Sequence, residues 1–250
     1  MNKREPLADT PYFEYAISYC REDIATLKGY IERQDSEIPN WSRIHSRLYT
    51  SQLSMVLYLY SAGYPVAECK EYVVEAIENF ILAETLDDAE PENYTIYNGI
   101  YDEVIKLASL GLLFNTEKTL LGIFREVCDK TKGSDLLINA LLSKIPGTRQ
   151  DGKLFYPKIF RDIYSIFECN PDQQNAMMAK YLKNWFTFMK RFDWHNSHKV
   201  AKVNGSTVFE GYWSVEAAAA CFVLQLDFSN FKDLSYFPVD MLKFASGGDV

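Results

Sequence analysis

The sequence predicts an all-α fold of antiparallel helical hairpins in two packed subdomains, with one small β-hairpin near 199–209. Three observations carry this expectation. Apolar residues recur at helical spacing along most of the chain. Turn signals rich in glycine and proline separate these stretches. A single Asn204-Gly205 pair stands between short alternating runs, the local pattern of a two-residue hairpin turn.

The first helix is expected over about 11–36, with Tyr15, Ile17, Tyr19, Ile24, Leu27, Tyr30 and Ile31 as its apolar positions and a break near Pro39. The second, 41–61, carries Leu48, Leu53, Val56, Leu57 and Tyr60, and Gly63-Tyr-Pro65 ends it because glycine accepts positive φ and proline cannot continue a helix. Further helices are expected over 66–85, over 94–109 with a stop near Gly111, over 116–130 with a stop near Gly133, and over 135–144, closed by Pro146-Gly147. Pro146-Gly-Thr-Arg-Gln-Asp-Gly152 is polar and turn-rich and divides an N-terminal domain, 1–147, from a C-terminal domain, 148–250. Helices over 157–167 and 172–190 follow, then the hairpin, then an alanine-rich helix after Trp213.

Composition narrows the function. At 250 residues the chain can bury roughly three quarters of the surface its unfolded form exposes. Its five cysteines are odd in number and form no CxxC pair, so neither a zinc ribbon nor a disulfide framework is expected. Buried thiols in a reducing compartment fit better. No apolar run approaches the length of a membrane span and the first residues lack a signal-peptide core, so a cytoplasmic location and no membrane partner are expected. The net charge of −8 disfavours direct binding of nucleic acid and suits a basic partner.

That charge is concentrated. Between Lys70 and Lys106 lie 35 residues without Lys, Arg or His and with ten acids, so the rest of the chain sums to +2, the difference between −8 and −10. In the first half of the segment, Val73, Val74, Ile77, Phe80 and Ile81 fall on one side of a helix and Glu71, Glu75 and Glu78 on the other. Like charges at this spacing cost a few tenths of a kcal/mol per pair. A helix shaped for stability alone would interleave lysine. Such a surface imitates nucleic-acid phosphates or pairs with a basic cleft, speeding association in a salt-dependent way.

Catalytic signatures are absent: no GxxxxGK[ST], GxGxxG or GxSxG occurs. His45 has no neighbour in sequence that would tune it and reads as a packing or surface residue. His195 and His198, with Asp193 nearby, are the best metal look-alike, yet ligands three apart on a loop need further partners that the sequence does not offer. Asp87-Asp88-Ala-Glu90-Pro-Glu92 lacks the glycine and the terminal glutamate of an EF-hand loop. The residues therefore predict no catalytic site, no metal and no cofactor. Two alternatives stay open: a helical adaptor that recruits basic proteins, and a His/Asp metal-dependent enzyme.

One stretch carries a resemblance. Gly211-Tyr-Trp-Ser-Val-Glu-Ala-Ala-Ala219, followed by Asp227, Tyr236-Phe-Pro238 and Asp240, resembles the C-terminal domain of the PoNi immunity proteins, inhibitors of PoNe-type toxin DNases in interbacterial competition. The specific match spans about the last fifty residues, from Trp194-His195 to Asp240, and Phe228 stands where the family places a second carboxylate after Asp227. The resemblance implies a helical fold with N- and C-terminal domains packed together, and stoichiometric neutralisation of a cognate PoNe-type nuclease. Such toxins hold DNA in a cleft with basic surroundings, so an acidic inhibitor is implied. The toxin-binding surface is expected at Glu71, Glu75, Glu78, Asp87, Asp88, Glu90, Glu92, Asp102 and Glu103. The motif residues Gly211, Tyr212, Trp213, Glu216, Asp227, Tyr236, Pro238 and Asp240 are expected to pack the fold.

Overall fold

The structure is a computed structural model that describes residues 3–34, 40–87, 99–149, 151–204 and 206–248, with only the backbone of 202–204. The helices are α1 Thr10–Glu32, α2 Trp41–Ala62, α3 Lys70–Leu86, α4 Ile100–Leu113, α5 Lys118–Thr131 and α6 Leu136–Leu141. They continue as α7 Pro157–Glu168, α8 Pro171–Phe188, α9 Ser197–Asn204, α10 Val215–Leu224 and α11 Val239–Ala245. Short 3₁₀ turns precede α3 at Val66–Cys69 and follow α8 at Met189–Arg191. Among the described residues there is no strand, only an isolated bridge between Asp135 and Lys153. No helix there is long and apolar enough to cross a membrane.

The chain forms two compact units: Met1–Glu90 with Asn196–Gly211, and Pro91–His195 with Tyr212–Val250. In the first, α2 packs against both α1 and α3 and is buried from Met55 to Ala62 on every side. Local signals delimit these helices. Asp9 caps α1 by accepting from the amide of Tyr12 at 2.9 Å, and Asn40 caps α2 by accepting from Arg43 at 3.0 Å. Gly63 ends α2 at φ 93°, a conformation that costs a side-chain-bearing residue strain.

The expected hairpin at 199–209 does not form. Residues 197–204 are helical (α9), and 206–211 run without strand pairing. The backbone of that second segment finds side-chain partners instead of a strand. The Tyr12 hydroxyl donates to the Phe209 carbonyl at 3.0 Å and accepts from its amide at 2.8 Å. The Tyr58 hydroxyl donates to the Thr207 carbonyl, and Ser61 Oγ donates to the Glu210 carbonyl at 2.6 Å. Ser54 Oγ donates to the Glu210 carboxylate. An Asn-Gly pair nucleates a ribbon only when its flanks lack better partners, and here α1 and α2 supply them. Burial also pushes the Tyr12 hydroxyl up to about 12, so it keeps its proton for this contact. Replacing Tyr12 by Phe keeps the ring and removes the hydroxyl that bonds both the amide and the carbonyl of Phe209, so a loss of about 2 kcal/mol is expected in urea unfolding. A loss below about 0.5 kcal/mol would contradict this docking.

In the second unit α10 is the central element. Val215 to Cys221 and Val223 are all buried, as befits a helix that is apolar on nearly every side, Glu216 being its one charged residue. It packs on α4 most extensively and also on α6, α7 and α11, while α7 and α8 form a hairpin. The small side chains of Ala217–Ala220 make such close surroundings possible. Gly111, expected as a stop, lies inside α4, which continues to Leu113 before Asn115 turns the chain at φ 51°. A glycine within a helix costs only about 1 kcal/mol, and Leu110 and Leu113 on either side of it are fully buried.

Candidate functional site

The acidic residues divide by what their neighbours do with them. Helix α3 buries Val73, Ala76, Ile77, Phe80 and Ala83, which turns Glu71 and Glu78 outward to solvent. Glu75, on the same side, is half-buried and engaged. Its carboxylate pairs with Lys28 of α1 at 2.6 Å and accepts from Gln52 Nε2 of α2 at 2.7 Å. The chain of polar contacts goes on: Gln52 Oε1 accepts from Asn79 Nδ2 at 3.2 Å, and Asn79 Oδ1 accepts from His45 Nδ1 at 2.7 Å. Glu75 and His45 therefore belong to a polar seam that ties α1, α2 and α3 together. Asp87 is exposed just past the end of α3. Asp88, Glu90 and Glu92 lie outside the described residues.

Asp102 and Glu103 belong to the second unit, in the first turn of α4. Asp102 is only 8% exposed. It accepts from Trp194 Nε1 at 2.9 Å and pairs with Lys106 at 2.6 Å, and the Lys106 ammonium lies 5.4 Å from the Trp194 ring. Glu103 is half-buried. The exposed acids Glu71, Glu78 and Asp87 thus lie on or just beyond one helix, whereas Glu75 and Asp102 serve internal ion pairs.

The C-terminal motif surrounds a buried carboxylate. Glu216 is 4% exposed, and its Oε1 accepts from Trp185 Nε1 at 2.6 Å, Ser214 Oγ at 2.7 Å and Tyr181 hydroxyl at 2.8 Å. Burial pushes its carboxyl above the ordinary value and these donors oppose the shift. Around it stand rings from distant parts of the chain. Tyr212 meets Phe186 at 4.9 Å edge-on, Phe186 stacks on Tyr236 at 5.4 Å, and Trp185 stacks on Trp194 at 5.6 Å. Gly211 precedes the cluster at φ 96°, Trp213 is half-buried, and Pro238 is buried at the start of α11. Asp227 is exposed and binds its own turn through the amide and hydroxyl of Ser229, which lowers its pKa. Asp240 lies 3.8 Å from Lys243.

A second buried carboxylate escaped the sequence reading as more than a helix start. Asp135 Oδ1 accepts from the amides of Leu137 and Ile138, and Oδ2 from the Tyr101 hydroxyl at 2.9 Å and the Phe155 amide at 3.2 Å. Its position before the apolar run Leu136-Leu-Ile138 was the available signal for the cap; nothing local signalled Tyr101 or Phe155. The roles of Tyr12, Tyr58 and Glu210 likewise had no local signature. Tyr15 and Tyr19, expected among the apolar positions of the first helix, are exposed and pair with each other at 6.5 Å. The buried stripe of α1 is Phe13, Ala16, Ile17, Cys20, Ile24 and Leu27, on its other side.

The histidines of the metal look-alike each pack against a phenylalanine ring. His195 lies over the Phe186 ring at 4.1 Å in the second unit, and His198 meets Phe209 edge-on at 5.8 Å in the first. Among the described residues no group of three His, Cys, Asp or Glu side chains is placed to hold a metal ion.

Comparison with known proteins agrees with this architecture. The chain is similar to a crystal structure of protein PA2201 from Pseudomonas aeruginosa, with a TM-score of 0.73 and 16% identity over 98% of this chain and 91% of that one. At that identity the likeness concerns the fold. No curated protein matches the chain. Residues 4–123 match the model of the N-terminal part of the PoNe immunity proteins, and residues 133–241 match the model of their C-terminal part. The chain therefore belongs to the PoNe immunity protein (PoNi) family, a membership that implies immunity to a PoNe-type toxin.

Proposed function

We propose that this protein binds a cognate PoNe-type DNase in the cytoplasm and neutralises it as a stoichiometric complex, without turnover. The toxin is met by the acidic face formed by Glu71, Glu78 and Asp87, continued in sequence by Asp88, Glu90 and Glu92. The observation that carries this reading is the exposure of Glu71 and Glu78 on a helix whose segment holds no basic residue between Lys70 and Lys106. A nuclease cleft that attracts phosphates offers the complementary field, and a fixed array of carboxylates competes with DNA for it. Glu75, on the same helix, adds less to this face, since its carboxylate already pairs with Lys28 and accepts from Gln52.

Titration of the purified toxin's DNase activity with this protein tests the reading. Activity is expected to fall linearly to zero at one equivalent, with a complex of equal stoichiometry on a sizing column. Residual activity at several equivalents, with no complex formed, would remove stoichiometric inhibition from consideration. An adaptor would instead bind several basic proteins and leave the nuclease active.

A further inference from the structure

The second unit contains a cavity of about 510 Å³, open at one side, a size typical of small-molecule sites. It lies between the C-terminal ends of α4 and α10, the start of α5, and α11. Leu112, Leu121, Ile145, Phe222, Leu226 and Leu242 make its wall apolar. Cys221 also lines it, and burial pushes that thiol up, so it stays neutral.

The charged groups of the lining are Lys118 and Lys144 alone. In a chain with 34 acids against 26 lysines and arginines, no Asp or Glu among the described residues lines the cavity. Glu117 and Asp227, adjacent in sequence to the lining residues Lys118 and Phe228, are exposed and outside it. Thr116 also faces the cavity. It is 7% exposed, yet its Oγ1 has no hydrogen-bond partner among the described residues. A buried hydroxyl without a partner costs about 1–3 kcal/mol, and buried polar groups are nearly always satisfied.

We propose that this cavity binds a medium-chain alkyl carboxylate. The alkyl chain lies against the leucines and Phe222, displacing water from apolar surface. The carboxylate sits towards Lys118 and Lys144, whose flexible stems allow their ammonium groups to reach it. It also accepts from the Thr116 hydroxyl. A neutral amphiphile forgoes the lysines, and a cationic one is repelled by them.

Fluorescence titration of the full chain with dansyl-labelled undecanoic acid tests the proposal. Saturable binding at one equivalent is expected, displaced by decanoate and not by decyltrimethylammonium. Exposed Lys118 and Lys144 can be reversed without touching the core. In Lys118→Glu/Lys144→Glu, affinity is expected to drop by about tenfold or more, the loss of roughly 1.4 kcal/mol or more. Thr116→Val keeps the shape and is expected to weaken binding by at least about tenfold, the low end for a hydrogen bond to a charged group. Lys118→Gln/Lys144→Gln, with folding checked by thermal unfolding, gives the same answer if the reversal perturbs the fold. Absence of saturable binding, equal displacement by decyltrimethylammonium, or unchanged affinity in a folded lysine variant each overturns the proposal.

Discussion

Reversing Glu71, Glu78 and Asp87 to lysine is expected to slow association with the cognate DNase by about 10–10³-fold at low salt, the scale of electrostatic steering. The three side chains are exposed, so helix α3 and its packing on α2 should survive, which circular dichroism and thermal unfolding verify. Stopped-flow mixing at rising ionic strength separates steering from contact. At about 1 M salt the screening length falls to roughly 3 Å and the gap between variant and parent should narrow sharply. Dissociation should change less than association if these charges lie at the rim of the complex. A control with the same change in net charge uses the exposed Asp172, Asp193 and Asp233 of the second unit. Equal slowing in that control would mean that net charge, and not the α3 face, drives the encounter.

The other large effect concerns stability. Glu216→Ala removes the acceptor shared by Tyr181, Trp185 and Ser214, all buried. Three orphaned donors and a cavity beside α10 are expected to cost about 3–5 kcal/mol. Such a loss is a large fraction of the whole stability of an ordinary domain, so low soluble yield is part of the expected result. Glu216→Gln keeps an acceptor and should cost far less, which makes it the informative variant. Burial raises the folded carboxyl above the ordinary 4.5, so the folded chain holds that proton more tightly than the unfolded one. The resulting contribution is complete below 4.5 and is lost as pH rises through the folded value. The difference in unfolding free energy between parent and Glu216→Gln should therefore shift against the parent across that window. A pH-independent difference would show that this carboxyl does not titrate between those limits.

Much of this was readable in the chain. The glycine at 63 and the apolar spacing before it gave α2 nearly its full extent, because stop signals and periodicity are properties of neighbouring residues. The outward turn of Glu71 and Glu78 followed from the same periodicity. The motif from Gly211 to Asp240 pointed to the family from the last fifty residues, and the family match extends over 4–123 as well. The hairpin failed for a physical reason: Asn204-Gly205 is a local preference, and the hydroxyls of Tyr12 and Tyr58 offered the following segment stronger, distant partners. Tyr15 and Tyr19 count among the apolar positions of the first helix by their spacing, whereas the packing of α1 on α2 leaves them on the outside.

By itself the sequence determined the helical class, the extents of most helices, the concentration of acid between Lys70 and Lys106, and the family. Only the tertiary structure decided what each carboxylate does. Glu75 meets a lysine 47 residues away, Asp102 an indole 92 residues away, and Glu216 a tyrosine 35 residues away. A charge is available or consumed according to what lies within a few ångströms of it. Local spacing sets which way a side chain points from its helix, but the partner it finds there comes from another part of the chain.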